Sequence, residues 1–119
     1  MKHVISAKHF TKIEILGLLE QASAMQEVIA AGGTDTLRGR VMAALFFEPS
    51  TRTRLSFETA MHRLGGSVVS TENAREFSSA IKGETLEDTI RVVAGYADVI
   101  VLRHHEIGAA PPRRRSFNR

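Results

Sequence analysis

The stretch Val41-Met42-Ala43-Ala44-Leu45-Phe46-Phe47-Glu48-Pro49-Ser50-Thr51-Arg52-Thr53-Arg54-Leu55-Ser56-Phe57 decides the architecture. Its first seven residues are apolar at odd and even positions alike, the pattern of a strand covered by helices on both faces of a sheet. Pro49 and Ser50 then mark a helix start. Leu55, Phe57, Ala60, Met61 and Leu64 form an apolar stripe at helical spacing, and Gly65-Gly66 ends it. A buried strand running through a short turn into an amphipathic helix opens a parallel crossover.

On the N-terminal side, Ile15, Leu18, Leu19, Ala22, Met25 and Ile29 recur at helical spacing. Thr11 with Glu14 matches a capping box and Gly32-Gly33 supplies a stop, so a helix is expected from about Lys12 to Ala31. On the C-terminal side, residues 67–70 read as a short strand and residues 71–83 as a long polar loop. Thr85 with Asp88 starts a further helix, expected to run to about Tyr96 and to bury Leu86, Ile90 and Val93. Residues 97–102 read as a last buried strand that ends in Arg103. Helix, strand, helix, strand, helix, strand without repeat is an α/β arrangement: a three-layer fold with a parallel sheet flanked by helices. Ligands of such sheets bind beyond the carboxyl ends of the strands, which here means residues 48–53 and 103–105.

The 119 residues, 43% hydrophobic and 24% charged, suit one soluble globular domain. No apolar run nears the roughly 20 residues of a membrane-spanning helix. The absence of cysteine excludes disulfides and thiolate sites, and the polar start MKHVISAKHF lacks the apolar core of a secretory signal, so a cytosolic location is expected. The five His show no metal-ligand spacing, and no metal or cofactor is expected. The net charge of +3 comes from the end of the chain: residues 111–119 hold four Arg and no acid, and without them 12 basic residues face 13 acidic ones. A neutral body with Tyr96 as the only Tyr and no Trp disfavours nucleic-acid binding.

A helix start exposes unpaired N–H groups and the positive end of the helix dipole, so residues 50–53 are an anion site before side chains are counted. Ser50, Thr51 and Thr53 add hydroxyl donors, and Arg52 adds a bidentate, charge-assisted contact suited to phosphate. The alternative is that Ser50 only caps the helix while Arg52 and Arg54 pair with Glu48 and Glu58. Arg103 stands where a second cation from a neighbouring strand end would meet the same anion, or else points to solvent. His104 and His105 could act near neutral pH but, as adjacent loop histidines, read first as surface residues.

These residues also carry a resemblance. FFEPSTRTRLSFETAMHRLGGSVVS, residues 46–70, resembles the carbamoyl-phosphate motif of the transcarbamoylase family, built around Ser-Thr-Arg-Thr-Arg. Phe46-Phe47-Glu48-Pro49-Ser50, the run from Ser78 to Leu86 with Lys82-Gly83-Glu84, and Val101-Leu102-Arg103-His104 resemble its aspartate-using branch rather than the ornithine-using one. The likeness runs from about residue 3 to Ala110, which the resemblance makes a carbamoyl-phosphate-binding domain (1–110), incomplete, followed by a Pro/Arg-rich tail (111–119). It implies transfer of the carbamoyl group from carbamoyl phosphate to the amine of L-aspartate, a step of pyrimidine synthesis. It further implies that Ser50, Thr51, Arg52 and Thr53 cradle the phosphate, that Arg103 bridges phosphate and carbamoyl oxygen, and that Thr53 helps polarise that oxygen. The family's homotrimer implies that Ser78 and Lys82 reach into the neighbouring subunit's site, and leaves room for a regulatory chain.

The family's later phosphate-domain His and Gln and its aspartate-binding Arg residues have no counterparts in these 119 residues, and His105 stands where the family usually has Pro. The tail PPRRRSFNR leaves the pattern abruptly; it reads either as the product of a shifted frame in a GC-rich gene or as an Arg-rich segment for anionic partners. Ornithine carbamoyltransfer and a non-catalytic phosphate-binding or assembly module are the alternatives to the aspartate reaction.

Overall fold

A computed structural model describes residues 3–72 and 85–104. A short 3-10 turn over Ala7–His9 leads into helix α1 (Lys12–Ala30), followed by β1 (Val41–Phe46), α2 (Thr51–Arg63), β2 (Ser67–Glu72), α3 (Leu86–Val93) and β3 (Val99–Arg103). The three strands form one parallel sheet in the order β2-β1-β3, with β1 in the middle as its unbroken apolar run requires.

Period-two alternation along β1 divides the core into two layers. Ala43, Leu45 and Phe47 pack with Val93 and Ala97 on the α3 side, joined by Leu86, Ile100 and Leu102. Met42, Ala44 and Phe46 pack with Met61 on the α2 side, joined by Leu37, Val68, Val99 and Val101. Each helix flanking the sheet therefore covers a different face, the three-layer arrangement expected from the order of elements. Met42 through Phe47 are all buried, and Phe46 is fully so.

Several boundaries differ from expectation for identifiable reasons. β2 continues to Glu72 because Thr71 and Glu72 pair with Leu45 and Phe46 of the longer central strand. α3 stops at Val93, since Gly95 favours a turn and the Gly95 and Tyr96 N–H groups bond three residues back, to Val92 and Val93. β3 starts at Val99 because Asp98 acts as a clip: its carboxylate accepts from the Val41 N–H at 2.9 Å and its own N–H donates to the Val41 carbonyl at 2.8 Å. Of the stripe read on α2, only Met61 is buried, while Leu55 and Phe57 are 49% and 45% exposed.

α1 forms where the sequence placed it, with a complete capping box between Thr11 and Glu14, yet none of its 19 residues is buried. Ile13, Leu16 and Leu19 are 81%, 54% and 61% exposed. Its C-terminal turn is tied to the end of α2, where Thr34 N–H donates to the Arg63 carbonyl at 2.8 Å and Leu37 N–H to that of Leu64 at 2.7 Å. Gly33, at φ +105°, lies against the Arg63 backbone, where a Cβ would collide with the carbonyl oxygen. No helix among the described residues is long and apolar enough to cross a membrane.

Candidate active site

The site begins with the backbone. Ser50 precedes α2 at φ −158° and ψ 70°, and its hydroxyl makes no capping bond. The other two helices are capped in the usual way: Thr11 accepts from the Glu14 N–H and Thr85 from the Asp88 N–H, each at 3.1 Å. The first intrahelical bond of α2 is Arg54 N–H to the Ser50 carbonyl at 2.9 Å, so the N–H groups of Thr51, Arg52 and Thr53 have no acceptor within the helix. No acidic residue occupies that first turn. Three N–H donors, the uncommitted Ser50 hydroxyl and the positive dipole end thus converge on one spot beyond the carboxyl end of β1.

The three arginines around this spot are held differently. Arg54 is doubly engaged, its Nε donating to Glu58 at 2.9 Å and its Nη1 standing 3.2 Å from Glu72. Arg103 donates from Nε to Glu48 at 3.0 Å. Arg52, exposed on the outer side of the turn, makes no ion pair among the described residues. The pairing that spacing alone suggested is half realised. Arg54 meets Glu58 across one helical turn, whereas Glu48 is taken by Arg103 from another strand instead of by Arg52.

Sheet register explains why Arg103 belongs to this cluster although 50 residues separate it from Thr53. Arg103 pairs with Phe46, and the Phe47 N–H donates to the Arg103 carbonyl at 2.8 Å. Arg103 shares its parity with Val99 and Val101, which pack on the α2 side, so its side chain emerges under the N-terminus of α2. His104 has the opposite parity: it is partly buried and its ring lies 5.0 Å from that of Phe47 on the α3 side. It is therefore a packing residue facing away from the start of α2, not the solvent-facing loop histidine its sequence suggested.

Two carboxylates hold arginines at this edge; sequence offered Glu48 as a partner for the arginines of the α2 turn and did not single out Glu72. Glu48 holds Arg103, and Glu72, in register with Phe46 on the other side of β1, holds Arg54. The parity of Val68 and Glu72 along β2 was the available signal. It becomes readable only once the strand is known to extend past Ser70. Ser78, Lys82 and His105 lie outside the described residues. Among the described residues no group of three or more His, Cys, Asp or Glu is placed to hold a metal ion.

Residues 2–115 match the family model described as the aspartate/ornithine carbamoyltransferase carbamoyl-P binding domain. The chain belongs to that family. It is 60% identical over 108 residues to aspartate carbamoyltransferase 1, chloroplastic, of Pisum sativum, covering 90% of this chain and 28% of the pea protein. It is 55% identical over 109 residues to the aspartate carbamoyltransferase catalytic subunit of Methanopyrus kandleri, covering 92% and 35%. The fold superposes on the catalytic subunit of M. jannaschii aspartate transcarbamoylase with a TM-score of 0.84 at 51% identity, covering 98% of this chain and 37% of that one. It superposes likewise on the aspartate transcarbamoylase of Trypanosoma cruzi in complex with N-(phosphonacetyl)-L-aspartic acid, with a TM-score of 0.81 at 50% identity and coverages of 91% and 34%. The chain thus spans about a third of the length of these relatives.

Proposed function

We propose that the turn Ser50–Thr53 together with Arg103 is the carbamoyl-phosphate half of an aspartate carbamoyltransferase active site. The observation that carries this reading is the uncapped start of α2, where three N–H donors and the Ser50 hydroxyl lie beyond the carboxyl end of β1, Arg52 makes no ion pair among the described residues, and the neighbouring strand ends in Arg103. The identity of 51–60% to aspartate carbamoyltransferases supports aspartate as the acceptor.

In the reaction, the amine nitrogen of aspartate bonds to the carbamoyl carbon and releases a proton. The bond from that carbon to the phosphate oxygen breaks, its electron pair leaving with phosphate. Negative charge grows on the carbonyl oxygen and on the departing phosphate, so fixed donors aimed at both lower the barrier. The first-turn N–H groups, the hydroxyls of Ser50 and Thr51, and Arg52 hold the phosphate. Arg103 bridges phosphate and carbonyl oxygen, and the Thr53 hydroxyl polarises that oxygen. To reach the ligand Arg103 exchanges Glu48 for phosphate, a trade of one charge-assisted pair for another that is not expensive where both side chains are solvent-accessible.

The aspartate-binding groups are supplied by sequence beyond the third of the family matched here, and Ser78 and Lys82 act on a neighbouring subunit in a homotrimer, to which a regulatory chain can be added. The cytosol is the proposed location. The test is formation of carbamoyl aspartate from carbamoyl phosphate and aspartate by the full chain, alone and after mixing with a family catalytic chain inactivated at its own Ser-Thr-Arg-Thr-Arg turn. Restored turnover in the mixture, with none when ornithine replaces aspartate, is the expected result. Binding of carbamoyl phosphate with no turnover in either setting would leave the non-catalytic module as the better description.

A further inference from the structure

Arg54 is the arginine of the turn that faces the sheet, since it shares the i, i+4, i+7 line with Glu58 and the buried Met61. Beneath it lies the last rung of the sheet, Glu72, Phe46 and Arg103, paired in register across β2, β1 and β3. All three have the parity of residues that pack on the α2 side. Fully buried Phe46 fills the centre, and Glu72 and Arg103 stand on either side of it, about 10 Å apart by strand spacing. One end of the rung is therefore tied to α2 through Arg54, and the other presents the Arg103 guanidinium to the anion site.

We infer that Glu72 is a positioning residue of the anion site. Through Arg54 it fixes the first turn of α2 over the last rung, so that the 51–53 N–H groups and Arg52 approach a phosphate from the place that Arg103 also reaches. The inference rests on the reading of this turn as a phosphate site. Two observations separate this pair from an ordinary surface ion pair. The side chains of Arg54, Glu58 and Glu72 are only 26%, 18% and 29% exposed, so the contacts are partly shielded from water and held in one geometry. Glu72 Oε2 is buried with no hydrogen-bond partner among the described residues, a desolvation cost that Thr or Val at a strand end would avoid. A carboxylate that is costly to bury and engaged through one oxygen contributes orientation more than stability. The two carboxylates also keep Arg54 off the ligand, leaving Arg52 and Arg103 as its cations.

The experiment is calorimetric titration of the full chain with inorganic phosphate and with carbamoyl phosphate, in the parent, Glu72→Gln, Arg52→Lys and the double variant. Glu72→Gln is expected to weaken both ligands about tenfold while the far-ultraviolet spectrum and the melting temperature stay close to the parent's. On the Arg52→Lys background the same change is expected to cost less than about twofold, because a displaced turn no longer misaligns a bidentate contact. Should Glu72→Gln not fold, Glu72→Thr, which suits a strand end and buries no carboxylate, carries the same expectations. Unchanged or tighter binding by the folded variant overturns the inference, and so does a loss that persists undiminished beside Arg52→Lys. A parent that binds neither ligand overturns the phosphate-site reading itself and the inference with it, an outcome distinct from a parent that binds and a variant that binds equally.

Discussion

Arg52, Arg54 and Arg103 carry the same guanidinium, and their carboxylate neighbours give them different work. Arg52 has no ion pair among the described residues and sits where the α2 dipole opposes a cation, an arrangement that an anion reverses. Arg52→Ala is expected to weaken phosphate binding about ten- to a hundredfold, the worth of a charge-assisted bidentate contact. Its melting temperature should stay near the parent's, as for exposed substitutions generally. Titration calorimetry and a thermal melt on the same preparation check both halves. Arg103 is restrained by Glu48, so Glu48→Gln removes a competing acceptor and is expected to tighten inorganic phosphate binding a few-fold, most at low ionic strength. A titration series in salt reads this directly; equal affinity at all salt concentrations would mean that Glu48 does not compete.

At the scale of elements, stability should follow the caps and the central strand. Thr85→Ala removes the bond to the Asp88 N–H and is expected to cost about 1 kcal/mol. Ser50→Ala removes no cap and should cost less, so paired denaturant curves separate a capping residue from a ligand-facing one. Phe46→Ala removes the largest fully buried side chain among the described residues and is expected to cost about 3–5 kcal/mol. The parts legible in the sequence were those governed by local rules. The unbroken apolar run of β1, the Thr11–Glu14 box, the Thr85–Asp88 cap and the Gly32-Gly33 stop each act within a few residues. What was not legible depends on partners distant in the chain. The extension of β2 to Glu72 is set by the length of β1, the start of β3 by the Asp98 clip, and the role of Glu48 by a residue 55 positions away. The donors of the proposed anion site were readable because they come from one turn. For Arg103 the sequence left a second cation and a solvent-facing residue both open, and the pairing of β3 with β1 sets it at the same edge.

For the whole molecule, the conspicuous feature is a 19-residue helix with nothing buried, carrying Ile13, Leu16 and Leu19 in water. Exposed apolar surface of that kind drives association, so the chain is expected to self-associate with rising concentration in sedimentation, and Ile13→Lys with Leu19→Glu to reduce it without altering phosphate affinity. A concentration-independent monomer would remove that expectation. The central claim is that the α2 N-terminus and Arg103 together make one anion site. It is tested most directly by titrating the full chain with carbamoyl phosphate, in parallel with Arg52→Ala and Arg103→Ala. Saturable binding displaced by inorganic phosphate, and weakened by each substitution in a folded protein, is the predicted result. Binding that neither substitution changes, or no binding by a folded parent, would contradict it.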